Sequence, residues 1–222
     1  MKIIVYDTET TGLPKKTSKP LCIEEEHNYP HIVQFSYIVY DSETDTLLKV
    51  YDNIIKIPEH VVISQESINL HHITREIMTE QGIHISNALT EFLEDCEHSD
   101  IIVGHNISFD NTMVKIELLR NMSCFNESRV EMFAKCDKFY CTMKNTIELC
   151  AIKTCYKNSA KTYNKFPKLI ELYTHLFAKT PSKLHNSLND VVLCLQCFCK
   201  LMFKTDICEH NTIIRDLVDN VM

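Results

Sequence analysis

Hydrophobic and polar positions along the chain change period twice. Residues 2–8 form a short apolar run of the kind that makes a buried strand, and residues 32–41 and 46–57 alternate loosely and are rich in Val, Ile, Phe and Tyr. The turn-forming run Asp41-Ser42-Glu43-Thr44-Asp45 separates the last two, so three consecutive strands are predicted, antiparallel to one another. Between the first two lies Pro14–Pro30, with a Lys-Lys pair, a Glu-Glu-Glu run and three prolines, which reads as an exposed loop. The spacing then becomes helical over 64–80 and 86–97, with Ser64, Thr74 and Ser86 placed as N-caps. Ile101-Ile102-Val103 reads as a short buried strand ending at Gly104, residues 109–121 as a helix, and 138–143 as a fifth strand.

The last third is more helical. Leu169, Leu172, Tyr173, Leu176 and Phe177 recur at helical spacing between Pro167 and Ala178. From Leu188 to Phe203 the positions Leu188, Val191, Val192, Leu195, Cys199 and Met202 form one core-facing stripe. Strands first, then helices alternating with short strands, predict an α/β fold with a mixed sheet flanked by helices. With no repeat, low-complexity tract or linker, the 222 residues read as a single domain, 1–222.

Composition narrows the setting. Hydrophobic residues at 45% and charged residues at 24% are ordinary for a globular chain. No apolar run approaches the roughly 20 residues of a membrane span, so no membrane partner is expected. The first residues enter a strand-like run without a signal-peptide layout, which predicts an intracellular protein of the cytoplasm or nucleus. Eleven cysteines, an odd number, then read as buried hydrophobes or free thiols of a reducing compartment. Cys194 and Cys197 have CxxC spacing, and Cys208 and His210 would complete a zinc site; core packing within an amphipathic helix explains the same cysteines.

The net charge of −7 is unevenly spread. Residues 129–183 hold eleven Lys/Arg against four Asp/Glu, a basic third on an acidic body. Such a patch suits a grip on one phosphate backbone, and a solvated lysine-rich face accounts for it as well.

Three groups of residues carry candidate chemistry. Asp7 and Glu9, two apart on a strand, point to one face, where they repel unless a cation lies between them; an exposed acidic turn is the plain alternative. Asp110 follows the 101–104 strand in Gly104-His105-Asn106-Ile107-Ser108-Phe109-Asp110, either as a ligand delivered to the end of the sheet or as a helix-start carboxylate complementing the dipole. His185 and Asp190 open the final helix. Asp190 sits at the edge of the apolar stripe, where an unpaired carboxylate is costly. Five helical steps place the two about 140° apart, so His185 is expected from the turn before the helix.

In the order Asp7-x-Glu9, Asp110, His185-x4-Asp190, the chain resembles the DEDDh family of 3′→5′ exonucleases, which includes the proofreading subunit of bacterial replicative polymerase, RNase T and the three-prime repair exonucleases. The match is close at Asp7-Thr-Glu-Thr-Thr-Gly-Leu13 and His105-Asn-x-x-Phe-Asp110, and extends to Ile32-Val33-Gln34 and Leu70-His71-His72-Ile73-Thr74. His72 replaces a usual glycine, Ser187 a usual alanine, the Pro14–Pro30 loop is longer than in compact members, and the proline-rich insert of some repair enzymes is absent.

The resemblance implies an RNase H-like five-stranded mixed sheet. It also implies two divalent ions, Mg²⁺ or Mn²⁺, about 4 Å apart on Asp7, Glu9, Asp110 and Asp190, with neutral His185 as general base and 5′-nucleoside monophosphates as products. By the same resemblance Thr8, Thr10, Gly12, Leu13, Asn106 and Phe109 would hold the terminal nucleotide of a single-stranded 3′ end. Lys157, Lys161 and Lys165 are expected strand contacts from the basic segment. RNA is the alternative substrate, a catalytically silent end-binding scaffold the alternative role, and a polymerase or a second copy the possible protein partner.

Overall fold

The computed structural model describes residues 1–157 and 159–222. In chain order its strands are β1 (Lys2–Thr10), β2 (Ile32–Asp41), β3 (Thr46–Lys56), β4 (Ile83–His84), β5 (Ile101–Gly104), β6 (Phe139–Cys141), β7 (Lys153–Cys155) and β8 (Thr162–Asn164). The helices are α1 (Gln65–His71), α2 (Arg75–Gln81), α3 (Ile85–Glu97), α4 (Ile107–Arg120), α5 (Glu127–Ala134), the single turns α6 (Thr142–Asn145) and α7 (Ile147–Cys150), α8 (Leu169–Phe177), α9 (Ser187–Phe203) and α10 (Thr212–Asp219). Among the described residues no helix is long and apolar enough to cross a membrane.

Six strands form one mixed sheet in the order β4-β3-β2-β1-β5-β6. The β1–β2 and β2–β3 pairs are antiparallel, as expected, and β5 joins β1 in parallel. The sheet has six strands where five were expected. The addition is β4, whose two residues are too short to show a period and pair beside Ile55 and Lys56. Strand β6 pairs parallel with β5 over three residues, shorter than the expected 138–143.

Side-chain alternation along β1 divides the molecule into two layers. Ile4 and Tyr6 point into a core shared with α3, α4 and α5, while Ile3 and Val5 point into a core shared with α8, α9 and α10. Phe92 of α3 is fully buried at the centre of the first core, 4.9 Å from the Tyr6 ring and 5.1 Å from Phe35. By the same parity Asp7 and Glu9 belong to the α9 layer and Thr8 to the α4 layer.

Helix α9 departs from the single-stripe expectation. Val191 through Cys199 are all buried, nine residues in succession, while Met202 is exposed. The sheet covers one side of the helix, and α8 and α10 cover another. A helix enclosed on all sides is apolar on all sides. Its one buried amide, Gln196, is satisfied by the Tyr173 hydroxyl at 2.8 Å and by Asp206 Oδ1 at 2.8 Å. All eleven cysteines are free thiols, and Cys194, Cys197 and Cys199 are core residues here.

The helical stretch over 64–80 is two helices, opened by the expected caps Ser64 and Thr74. It breaks at His72, which caps α1 in the left-handed conformation at φ 61° and sends its N–H to Ile68 O, and Thr74 then caps α2. This is the position where a glycine is usual; histidine reaches the left-handed region at a modest cost. Ser64 caps α1 as expected, accepting from Ser67 N at 3.1 Å. Ser86 does not cap α3: it lies in the first turn, and the His84 ring accepts its N–H at 3.2 Å. Helix α4 begins at Ile107, two residues before the expected start, directly after β5.

The Pro14–Pro30 loop carries a 3₁₀ helix over Ile23–Asn28. Arg120 of α4 holds the loop, donating to the carbonyls of Pro30, Glu26 and Tyr29 at 2.7–3.0 Å. Glu117, itself buried, accepts from Arg120 Nη1 at 2.8 Å and holds the guanidinium against the loop.

Candidate active site

The site forms where β1 runs out from under α9. Asp7 and Glu9 stand on one face of β1, and Asp190 stands on the first turns of α9. One carboxylate oxygen from each lies within 4.8 Å of the others, the only such group of three or more metal-ligating side chains among the described residues. Cys194, Cys197, Cys208 and His210 are therefore not gathered into a zinc site. Cys194 is buried beside the Thr142 hydroxyl, and His210 Nδ1 is turned to Asp45 at 2.8 Å.

The start of α9 is fixed from two strands. The buried Ser187 donates its hydroxyl to the backbone carbonyl of Asp7 at 2.6 Å, and its N–H goes to Gln34 Oε1 at 3.2 Å. Gln34 is itself anchored, its amide donating to Asp52 Oδ1 at 2.8 Å. The serine in place of alanine thus adds a hydrogen bond that ties the helix to the residue supplying a site carboxylate. Asn186 caps the helix through Asn189 N at 3.3 Å.

Asp110 comes from the other layer. Thr8 points toward α4, and its N–H and hydroxyl reach Asp110 Oδ1 at 3.1 Å and 2.8 Å. Asp110 is buried next to the Asp7/Glu9 strand but outside the 4.8 Å group. Thr8 is thereby committed to Asp110 and not to an open cleft. Gly104 permits this approach: a Cβ there would meet Ile107 at 3.1 Å and Tyr6 O at 3.3 Å.

His185 lies in the turn before α9, as its angular separation from Asp190 requires, with φ 66° in the left-handed region. The residue is exposed, at the rim of the carboxylate group and outside its 4.8 Å set. Partial desolvation of the ring lowers its pKa, and the positive charge of Lys168 lowers it further. The imidazole is therefore biased toward the neutral form that accepts a proton.

The carboxylates are pushed the opposite way. Burial raises Asp7 to about 7, with a contact from Ser187 pulling it back. Glu9 rises to about 9 by burial and then by the charges of Asp7, Asp190 and Asp110. Asp190 rises to about 8 by burial and by Asp7, offset by the His185 backbone. Asp110 is raised by burial and by Asp7, against the Thr8 hydrogen bonds. Asp190 Oδ1 is buried without a hydrogen-bond partner in the protein. Closely spaced, partly buried carboxylates with an orphaned oxygen either keep protons or take a cation, and an all-oxygen set of this kind suits Mg²⁺ or Mn²⁺. The residues present fit such an ion.

The turn after β1 is held rigidly. Thr10 donates its hydroxyl to Gly12 O at 2.7 Å, Thr11 exchanges bonds with His31, and Ser64 N reaches Thr11 O at 2.9 Å. The buried His71 donates from Nε2 to Thr10 O at 3.3 Å and accepts Ile73 N at Nδ1 at 3.0 Å. This places Leu13, 83% exposed, as an apolar side chain standing free beside the carboxylates' strand. Gly12 has neither a positive φ nor a close neighbour, since a Cβ would meet only Ser64 Oγ at 4.0 Å. Asn106 heads α4 at φ 67°, and Phe109 is half-buried against the α3/α4 core.

On the basic segment, Lys157 and Lys161 are exposed on the β7–β8 hairpin, whereas Lys165 is paired with Glu171 and so is not a free cation. Gln34, His71, Ser187 and Lys168 had no assigned role in the sequence. Gln34 and His71 lie in stretches that carry the family resemblance, which was the available signal for them.

The family model for exonucleases of the RNase T type matches residues 4–198. No curated protein sequence matches the chain. Among solved structures, exonuclease I from Methylocaldum szegediense shares 18% identity at a TM-score of 0.60, over 93% of this chain and 42% of that one. E. coli exonuclease I in complex with a dT13 oligonucleotide shares 16% at 0.64, over 90% of this chain and 41% of that one. A 3′-exonuclease described for 3′-end-specific recognition of a histone mRNA stem-loop shares 10% at 0.56, over 99% and 64%. The chain thus spans about two fifths of the length of these exonuclease I chains, and at such identities the likeness establishes the RNase H-like fold. By the match over residues 4–198, the chain belongs to the RNase T-type exonuclease family.

Proposed function

We propose that this protein is a metal-dependent 3′→5′ exonuclease that hydrolyses the terminal phosphodiester bond of a single strand, DNA foremost, and releases 5′-nucleoside monophosphates. The observation that carries this reading is the convergence of Asp7, Glu9 and Asp190 within 4.8 Å, with Asp110 one hydrogen bond away through Thr8.

When bound, two Mg²⁺ or Mn²⁺ ions supply an acidified water and positive charge for the leaving 3′-oxygen. Asp7, Glu9 and Asp190 would hold them, with Asp110 closing the set from the α4 side. His185, kept neutral, accepts the proton of the attacking water, and its place in a turn lets the ring move without disturbing α9. The pinned Thr10–Leu13 turn positions the last nucleotide, Leu13 lies against its base, and Phe109 and Asn106 border the sugar. All five reacting side chains come from one chain, so the chemistry needs neither a second copy nor a polymerase. The support for a single-stranded substrate is that E. coli exonuclease I has been seen with dT13 and dA16 oligonucleotides.

A 5′-labelled single strand incubated with the protein and Mg²⁺ tests the reading. The expected product is a ladder shortening from the 3′ end one nucleotide at a time. Internal cuts, or an untouched strand, would overturn it. Matched DNA and RNA strands in the same assay assign the sugar.

A further inference from the structure

The chain between α7 and α8 forms a feature that the hydrolytic site does not use. Strands β7 and β8 make a separate two-stranded antiparallel sheet, with Thr154 opposite Tyr163. The Tyr156 N–H reaches Lys161 O at 3.1 Å and carries the pairing one step further. Tyr156 and Tyr163 bring their rings to 4.4 Å between centroids at 38°. An isolated two-stranded ribbon is marginal in water, and an aromatic cross-strand pair helps to hold it. Yet these rings are 54% and 39% exposed, and Phe166, two residues past β8, is 54% exposed. Three large aromatic side chains on one short exposed segment are far more than ribbon stability needs.

Their neighbours are cationic. Lys153, Lys157, Lys161 and Lys168 are exposed and have no ion-pair partner among the described residues. No acidic residue lies between Ile152 and Ile170. The hairpin also leads into the rim of the site. Asn164 is tied to Glu148 at 2.8 Å, and Lys165 N to Ile152 O at 2.9 Å. The carbonyl of buried Pro167 accepts from His105 Nε2 at 3.0 Å, two residues before the start of α4. Lys168, next in the chain, is exposed and extends the run of cations to the N-cap of α8. Aromatic faces interleaved with lysines, continuous with a carboxylate site, match a strand with stacked bases and a negative backbone.

We infer that the β7–β8 hairpin is a stacking platform for unpaired bases of the single strand upstream of the terminal nucleotide, with Tyr156, Tyr163 and Phe166 against the bases and Lys157 and Lys161 on the phosphates. This rests on the exonuclease reading for the position of the strand's end, but binding itself is measured without turnover. Stacking is tolerant of sequence, because every base has a flat face, so the platform holds any unpaired strand and excludes a paired one whose bases are turned inward.

The chain contains no tryptophan, so Tyr163→Trp introduces a single indole reporter. In chelator, titration with a 20-nucleotide single strand is expected to quench its fluorescence, and an abasic strand of equal length to leave it unchanged. Tyr156→Ala with Tyr163→Ala is expected to raise the Kd for the based strand roughly tenfold or more and to leave the Kd for the abasic strand as it was. Tyr156→Phe with Tyr163→Phe, which keeps the rings, is expected to bind as the wild type does. Lys157→Ala with Lys161→Ala is expected to flatten the log Kd against log salt slope by about 1.4 on both strands. Equal Kd in the alanine variant and wild type, or a loss as large on the abasic strand, would overturn the inference. A Tm in chelator equal to that of the wild type shows that the alanine variant is folded. Absence of cleavage by the wild type would count against the exonuclease reading alone, since the fluorescence titration stands without it.

Discussion

Asp110 on α4 accepts two hydrogen bonds from Thr8 on β1, from the backbone N–H at 3.1 Å and from the hydroxyl at 2.8 Å. The contact joins the two helical layers at the point where β1 presents Asp7 and Glu9 to the opposite side. Thr8→Val keeps the shape of the side chain and removes the hydroxyl donor. The expected result is a Mg²⁺ half-saturation weakened roughly 10–100-fold, with kcat near wild type once the ion saturates. A metal titration of initial rates checks it. A lower kcat with unchanged metal dependence would place Thr8 on the substrate instead.

The raised carboxylates make stability depend on pH in a defined direction. Asp7 at about 7, Asp190 at about 8 and Glu9 at about 9 lie well above their unfolded values near 4, so the folded state binds more protons through that interval. The chelated protein should therefore lose stability as pH rises from about 4 to about 9. At this chain length each kcal/mol corresponds to about 2–4 °C in Tm. Mg²⁺ should restore the loss, and its effect should grow with pH. Asp190→Asn should melt higher than wild type in chelator at pH 9 and gain little from Mg²⁺. Thermal melts across pH, with and without Mg²⁺, decide this; a pH-independent Mg²⁺ effect would show that the carboxylates are not its site.

His185→Ala should lower kcat by about 10²–10⁴ while the fold persists, since the residue lies in an exposed turn. Lys168 offers a finer test. Its charge disfavours the imidazolium. Lys168→Met should raise the His185 pKa, and the acidic limb of the kcat profile should move to higher pH because less neutral imidazole remains at a given acidity. In a His185→Ala background the same Lys168 substitution should shift nothing. A Lys168 effect that survives removal of His185 would separate the two.

Much of the architecture follows from residues visible in the chain. The alternation in residues 32–41 and 46–57 and the run at 101–103 mark the central strands, and parity along β1 puts Asp7 and Glu9 on one face. What escaped has physical reasons. Two-residue β4 has no period to read. Thr74 announced the start of α2, but helical spacing does not show that α1 ends in a left-handed cap at His72. The enclosure of α9 depends on α8 and α10 returning over it, a long-range event that a single stripe cannot reveal. Lys165 resembles its neighbours in sequence and is set apart only by Glu171, six residues on. The β7–β8 hairpin lay unseen because three-residue strands among lysines and small residues carry no alternation.

The central claim is that the Asp7, Glu9 and Asp190 group removes nucleotides from the 3′ end with a divalent ion. Release of mononucleotide from a 3′-labelled single strand tests it most directly, with wild type and Asp190→Ala each assayed in Mg²⁺ and in excess EDTA. The account expects a labelled 5′-monophosphate from wild type in Mg²⁺ alone, and none from the variant under either condition although it remains folded. Release in EDTA, or turnover by Asp190→Ala near the wild-type rate, would contradict it.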